Sequence, residues 1–255
     1  MHSKKEMTGE IMPRFFLPPE AFEGTRICID GADARHISRS LRMRVGDELV
    51  LCDMSSSEYL CVISSITNES VYADIKEKSI SKSEMPCRTV LYQGIAKGDK
   101  MDTVIQKAVE LGVCEIVPVE CERCIAKIPA DAEKKKLERW QKIAAEAAGQ
   151  SQRGIIPRVS PVITYAMAIE RMKKSTVAML CYEDEHTRSV KELLQECKAP
   201  EEISFLIGPE GGISPEEARI ARDNGIPPCS LGRRILRTET ASAYVLSAIS
   251  YAFEL

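Results

Sequence analysis

Two glycine-bearing turns near the C-terminus constrain this chain more than any other feature. Gly208-Pro209-Glu210-Gly211-Gly212 and Leu231-Gly232 each follow a short apolar run, and each leads toward a helix. In an α/β sheet, small-molecule sites form at such places, outside the carboxyl ends of the strands. Ile203 to Ile207 (ISFLI) has the unbroken apolar character of a buried strand. The glycines free the backbone and let a ligand approach it. Ser214 is the expected N-cap of the following helix, with Pro215 at its first position and Glu217 closing a capping box. Ala218, Ile220 and Ala221 carry that helix to Asn224-Gly225, which end it. The second turn runs through Arg233-Arg234-Ile235-Leu236-Arg237 to Thr238-Glu239-Thr240-Ala241. There a last helix begins, with Ala241, Tyr244, Val245, Ala248, Ile249 and Ala252 on one face. Neither turn is a dinucleotide fingerprint, because G-x-G-x-x-G is absent, and no G-K-[ST] makes a P-loop. Taken alone, the turns serve equally as a ligand cradle or as ordinary strand–helix connections.

Upstream, the pattern changes once. Residues 14–84 read mostly as strand: Arg26 to Asp30, Glu48 to Asp53, Glu58 to Ile66 and Ser70 to Glu77. Short strands at this spacing predict a small barrel. Between the first two lies 33–44, whose Ala34, Ile37 and Leu41 fit a helical apolar face. Arg35, Arg39, Arg42 and Arg44 concentrate positive charge there, although the whole chain carries a net charge of −3. Forked arginine donors match phosphate oxygens, which favours a phosphate-contacting patch over a solvated face. Residues 78–88 read as a linker, and strand and helix alternate after it. Val90 to Ala96 and Cys114 to Val119 are strands around a helix that carries Met101, Val104, Ile105, Ala108 and Leu111. A long helix over about 131–151 turns Leu137, Trp140, Ala144, Ala147 and Ala148 inward. A short helix near 165–172, a strand over 176–182 and a helix over 189–197 follow. This alternation predicts a mostly parallel sheet covered on both faces. The domains are therefore expected as a polar lead over 1–11, with Met12 an alternative start, a barrel over 12–84 and an α/β domain over 85–255.

Other classes recede. No apolar run approaches the roughly 20 residues that span a bilayer, and the first residues lack a signal-peptide core, so a cytoplasmic protein is expected. Ten cysteines are scattered, with Cys28, Cys52, Cys61 and Cys181 inside apolar runs, which predicts buried free thiols. The one C-x-x-C, Cys121-Glu122-Arg123-Cys124, has no second pair, and the three histidines show no ligand spacing, so no metal is expected.

Distributed segments resemble the RsmE family of the SPOUT superfamily. They include Arg14-Phe15-Phe16, His36 through Leu41-Arg42-Met43 with Gly46-Asp47, and Lys97-Gly98-Asp99-Lys100-Met101. Gln106-Lys107-Ala108, Glu110-Leu111-Gly112-Val113, Glu138-Arg139-Trp140, Glu146-Ala147-Ala148 and Gln150-Ser151-Gln152-Arg153 continue the likeness. Ile207 through Gly212 and Leu231 through Ala241, in tandem, are its most specific part. One departure is Arg123-Cys124, where the family tends to carry Arg-Ser.

The resemblance implies a PUA-like RNA-binding barrel followed by a SPOUT α/β domain with a C-terminal trefoil knot. It implies S-adenosylmethionine-dependent methylation of a uridine N3 in small-subunit ribosomal RNA, expected within the assembled subunit, by a homodimer without metal. Cofactor contacts are implied at Leu180, Cys181 and Tyr182, at Ile207, Gly208, Pro209, Glu210, Gly211 and Gly212, and at Leu231 and Gly232. Ile235, Leu236, Arg237, Thr240 and Ala241 complete that set. Arg237, Arg153 and Glu239 are the expected catalytic groups, with Glu210 a further possible base. Arg14, Arg35, Arg39, Arg42, Arg44 and Arg123 are the expected RNA contacts. Two alternatives stand: a SPOUT enzyme acting on transfer-RNA ribose 2′-hydroxyls, and a non-catalytic RNA-binding relative.

Overall fold

The computed structural model describes residues 12–255; the polar lead over 1–11 lies outside them. The chain forms two compact units. One holds the residues up to Glu84 together with Gln152–Ile155, and the other holds Met85–Ser151 and Ile156–Leu255.

The first unit is a curled five-stranded sheet in the order β1-β3-β4-β5-β2. Its strands are β1 (Arg14–Phe16), β2 (Arg26–Ile29), β3 (Glu48–Cys52), β4 (Ser57–Ile66) and β5 (Val71–Ile80). β1 runs parallel to β3 and the other pairs are antiparallel. Alternation along β4 and β5 turns Cys61, Ile63, Val71 and Ala73 into one core with Ile27, Ile29, Leu49 and Leu51. Register shifts between Leu60 and Cys61 and between Ile63 and Ser65 curl the sheet. The helix α1 (Gly31–Arg35) widens into a π-helix over His36–Ser40, and Ala34 and Ile37 enter the core. Leu41 departs from the expected apolar face and is exposed, because the wider π turn shifts the helical phase. Two further expectations are corrected. β5 continues to Ile80, paired with Ser57, so the first residues of the supposed linker are strand. Cys28 is exposed, because the alternation of β2 turns it to the wet face.

The second unit is a parallel sheet in the order β12-β10-β11-β6-β7-β8, with β9 also against β7. Its strands are β6 (Arg88–Gly94), β7 (Glu115–Glu120), β8 (Arg158–Val159), β9 (Ile163–Thr164), β10 (Val177–Cys181), β11 (Glu202–Ile207) and β12 (Pro228–Cys229). The connecting helices are α2 (Lys100–Glu110), α3 (Ala130–Gln150), α4 (Tyr165–Met172), α5 (Val190–Gln195), α6 (Pro215–Asp223) and α7 (Thr238–Phe253). α2 buries Met101, Val104, Ile105 and Ala108, as its period predicts. On the other face, Tyr92, Val117, Leu180 and Leu206 pack with Ile169 of α4 and with Ala218 and Ala221 of α6.

From β12, at the sheet edge, the chain returns to lay α7 on α2, α5 and β11. α7 buries Ala241, Ser242, Val245, Leu246 and Ile249. Tyr244 and Ala252, expected on the buried face, are exposed.

Candidate active site

The site is assembled from strand ends. β10 and β11 pair in register through Cys181 and Ile207, and β12 brings Cys229 beside Cys181. Their outgoing loops therefore leave side by side. β6 lies on the other side of β11 and ends at Gly94, which packs against the first glycine turn. A Cβ on Gly94 would lie 2.5 Å from the Pro209 nitrogen and 2.9 Å from the Gly208 carbonyl carbon. Only glycine lets the turn approach this closely. Gly212 takes a φ of 72°, and the Glu183 carboxylate occupies the space a side chain there would need.

The start of α7 closes the arrangement. Gln93 Nε2 donates to Thr238 Oγ1 at 2.8 Å, and Thr238 Oγ1 donates to the Gly208 carbonyl at 2.7 Å. Gln93 and Thr238 are both buried, so β6, the glycine turn and α7 are tied in a dry environment. α6 is started by the expected capping box: Ser214 Oγ accepts from Glu217 N, and Glu217 Oε2 accepts from Ser214 N.

These segments enclose a cavity of about 810 Å³, within the usual range for small-molecule sites. Most of the expected cofactor residues line it. From the first turn come Ile207, Gly208, Pro209, Glu210, Gly211 and Gly212; from the second come Leu231, Gly232, Ile235, Leu236, Arg237 and Ala241. Cys181 and Tyr182 line it from β10. Leu180 is buried beneath them, and Thr240 is exposed outside the lining. Sequence reasoning missed Lys100, Glu183, Asp184, His186, Ser230, Arg233, Arg234 and Thr238. The signal for Glu183 and Asp184 was their place directly after the β10 strand end.

Charges divide the wall. Glu183, Asp184, Glu210 and Glu239 are acidic, and Arg233, Arg234 and Arg237 are basic. Glu210 Oε1 accepts from Lys100 Nζ at 2.9 Å and from Lys97 N at 3.0 Å. Burial pushes the Glu210 carboxyl up, but the Lys100 ammonium and backbone N–H groups outweigh it and hold the carboxyl below its ordinary value. Glu210 is thus an anion that fixes a loop, not a free base. Glu239 differs: its Oε2 is buried and has no hydrogen-bond partner. An orphaned carboxylate oxygen is costly unless a ligand engages it.

Two expectations fail on geometry. The Arg153 side chain is 2% exposed and pairs with Glu84 at 2.5 Å. Glu84 also accepts from Gly154 N and Ile155 N, so Arg153 fastens 152–155 within the first unit instead of facing a substrate. The Arg14 side chain is 8% exposed and pairs with Glu58 at 2.6 Å, so its charge is not offered to RNA. Arg35, Arg39, Arg42 and Arg44 are exposed. Arg123 is exposed and donates to the Gly211 carbonyl at 3.3 Å.

Comparison with known proteins gives concordant matches. The RNA methyltransferase domain family matches residues 83–250, and the RNA methyltransferase PUA domain family matches residues 29–76. Ribosomal RNA small subunit methyltransferase E of Bacillus subtilis is 34% identical over 96% of this chain and 98% of its own length. The protein of that name from Synechocystis is 29% identical over 94% of this chain and 78% of its own. The crystal structure of methyltransferase E from Neisseria gonorrhoeae bound to S-adenosylmethionine superposes with a TM-score of 0.85 at 32% identity, covering 95% and 98% of the two chains. A Legionella pneumophila methyltransferase in complex with the same cofactor superposes with a TM-score of 0.84 at 30% identity, with the same coverage.

Proposed function

Because the chain belongs to the RsmE family of RNA methyltransferases, we propose that it methylates N3 of a uridine in small-subunit (16S) ribosomal RNA with S-adenosylmethionine. The observation that carries this reading is the convergence of both glycine turns and the β10 end on one cavity.

The lining fits the cofactor. Leu231, Leu236 and Ile207 offer apolar surface for a purine, and the glycine turns offer backbone N–H and C=O groups for its edge. Glu183 and Asp184 suit a ligand that carries an ammonium and a sulfonium. When bound, the sulfonium supplies an activated methyl group, so the protein's work is alignment and exclusion of water. Uridine N3 must lose a proton, and Glu239 Oε2, buried without a partner at the cavity wall, is the proposed acceptor. Negative charge then develops on the uracil oxygens. Arg237, two residues away on the cavity wall, is the proposed group that stabilises it.

The exposed arginines of the first unit form the proposed RNA contact. Arg42 takes a φ of 53° at the helix end, a backbone strain more often kept at functional positions. None of Arg35, Arg39, Arg42 and Arg44 makes an ion pair among the described residues, which leaves their forks for phosphate. The enzyme acts as a homodimer in the cytoplasm on the assembled subunit. The dimer is supported by the outer face of α7, a helix whose first turn lines the cavity, where Tyr244 and Tyr251 are exposed, with Leu255 exposed just past the helix end.

The test supplies methyl-labelled cofactor with small subunits, naked ribosomal RNA or transfer RNA, and then maps the labelled nucleoside. Label is expected as N3-methyluridine in the subunit RNA. Label on transfer RNA alone, or none on any RNA despite cofactor binding, would overturn the reading.

A further inference from the structure

We propose that Cys121 and Cys124 form a thiol–disulfide switch that adjusts the cofactor turn. The proposal rests on the reading of the cavity as a cofactor site, and concerns how that site is regulated.

The two cysteines flank a tight turn at the end of β7. Cys124 N donates to the Cys121 carbonyl at 3.1 Å, closing a β-turn. Such turns bring the outer Cα atoms within about 7 Å, a span that overlaps the range a disulfide bridges. The turn sets the two cysteines side by side, and Cys124 Sγ donates to the Val119 carbonyl at 3.7 Å. Cys121 N also donates to Cys124 Sγ at 3.3 Å. The Cys121 N–H favours a thiolate on Cys124. Burial opposes it, as does the charge of Glu217, but the Cys121 thiol and the backbone groups of Cys121 and Ile95 hold Cys124 down at about 7. Cys124 is part-exposed and Cys121 is buried. An accessible thiolate beside a buried partner is the arrangement of an attacking and a resolving cysteine.

What makes the pair more than a reactive site is its attachment. The Arg123 main chain lies against Gly211: its carbonyl oxygen is 2.9 Å from where a Gly211 Cβ would stand. Arg123 Nη1 donates to the Gly211 carbonyl. Glu122 N donates to Glu217 Oε1 at 2.8 Å, and Ser214 Oγ donates to Glu122 Oε2 at 2.5 Å. Both residues between the cysteines thus hold the segment 211–217, which carries the second half of the glycine turn and the α6 cap. Closing an S–S bond of about 2.05 Å draws the sulfurs inward and removes the acceptor of Cys121 N. The displacement passes through Arg123 and Glu122 to Gly211 and Ser214. The other neighbouring thiols, Cys181 and Cys229, pair across β10 and β12; Cys229 is fully buried, and Cys181 lines the cavity on the far side of the glycine turn's strand.

The chemistry balances with a low-molecular-weight disulfide as oxidant. Cys124 thiolate attacks one of its sulfurs, forms a mixed disulfide and expels one thiolate. Cys121 yields its proton to solvent, attacks Cys124 sulfur and expels the second. Two protein thiols lose two electrons, and the reagent becomes two thiols.

The test treats the full chain with glutathione disulfide at graded ratios to glutathione. Peptide mass mapping should find the 121–124 disulfide, and Cys121→Ser should instead retain one glutathione on Cys124. Hydrogen exchange across 205–217 should rise in the oxidised protein and revert on reduction. Cofactor affinity should fall about tenfold, a usual size for coupling between sites. Persistent thiols at 121 and 124 under oxidising ratios, or a disulfide that leaves exchange across 205–217 unchanged, would overturn the switch. Failure of the reduced protein to bind S-adenosylmethionine would strike the cofactor reading instead, while mapping and exchange still decide the switch.

Discussion

Arg237 and Glu239 stand two positions apart at the head of α7, yet their surroundings assign them different work. Arg237 is exposed at the N-cap position and lines the cavity. Glu239 lies in the first turn, where the helix dipole favours an anion, and one of its oxygens is enclosed without a donor. Arg237→Ala is expected to keep cofactor affinity in calorimetry and to lose about 100-fold in single-turnover methylation, the usual loss for one charge-stabilising donor. Glu239→Gln keeps the shape, removes the proton acceptor and should lower the same rate by a similar factor, about 100-fold. Unchanged turnover in either variant would remove that residue from the mechanism. Arg153 marks the limit of residue-level reading. Its place after a helix and beside a family motif suggested substrate contact, but Glu84, remote in sequence, neutralises it inside the first unit.

Elements were legible where their determinants are local. The capping box of α6 joins residues three apart, and α5 repeats it with Ser189 and Glu192. Period alone placed the buried faces of α2 and α3. The π-helix over His36–Ser40 was not legible, because one extra residue per turn changes the phase without changing the composition. β1 has three residues, too few for any period, and exists because it pairs with β3. Gly94 shows how an element's end can govern a site. It closes β6 with no turn signal of its own, yet Pro209 and Gly208 backbone lies 2.5 to 2.9 Å from a would-be Cβ, well inside van der Waals contact. Backbone cannot yield as a side-chain tip can. Gly94→Ala is therefore expected to displace the glycine turn and weaken cofactor binding at least tenfold, in line with the 1–3 kcal/mol cost of overpacking. A calorimetric titration that matches the unmutated protein would show that the turn tolerates the shift.

For the molecule as a whole, α7 links the cofactor cavity to the proposed association of two chains. Its inner side is spent on α2, α5 and β11, whereas Tyr251 on its outer side and Leu255 just past its end are 79% and 93% exposed. Charging that side with Tyr251→Glu and Leu255→Glu should yield a monomer in sedimentation velocity, with the fold intact by circular dichroism. A dimer that survives both changes would place the interface elsewhere. The sequence by itself determined the change from an all-strand region to an alternating one, the parallel α/β class and the two glycine turns that lead toward helices. These follow from periodicity, from glycine's freedom and from capping, all of which act over a few residues. Only the tertiary structure decided that the two turns are walls of one cavity, because the pairings of β12 with β10 and of β10 with β11 bring them together across the sheet. It alone showed that Thr238 locks them to Gln93, that Glu239 keeps an unsatisfied oxygen, and that Arg14 and Arg153 are consumed by partners. The physical reason is the same in each case: burial and pairing depend on groups far apart in the chain, and no local pattern encodes which of them meet.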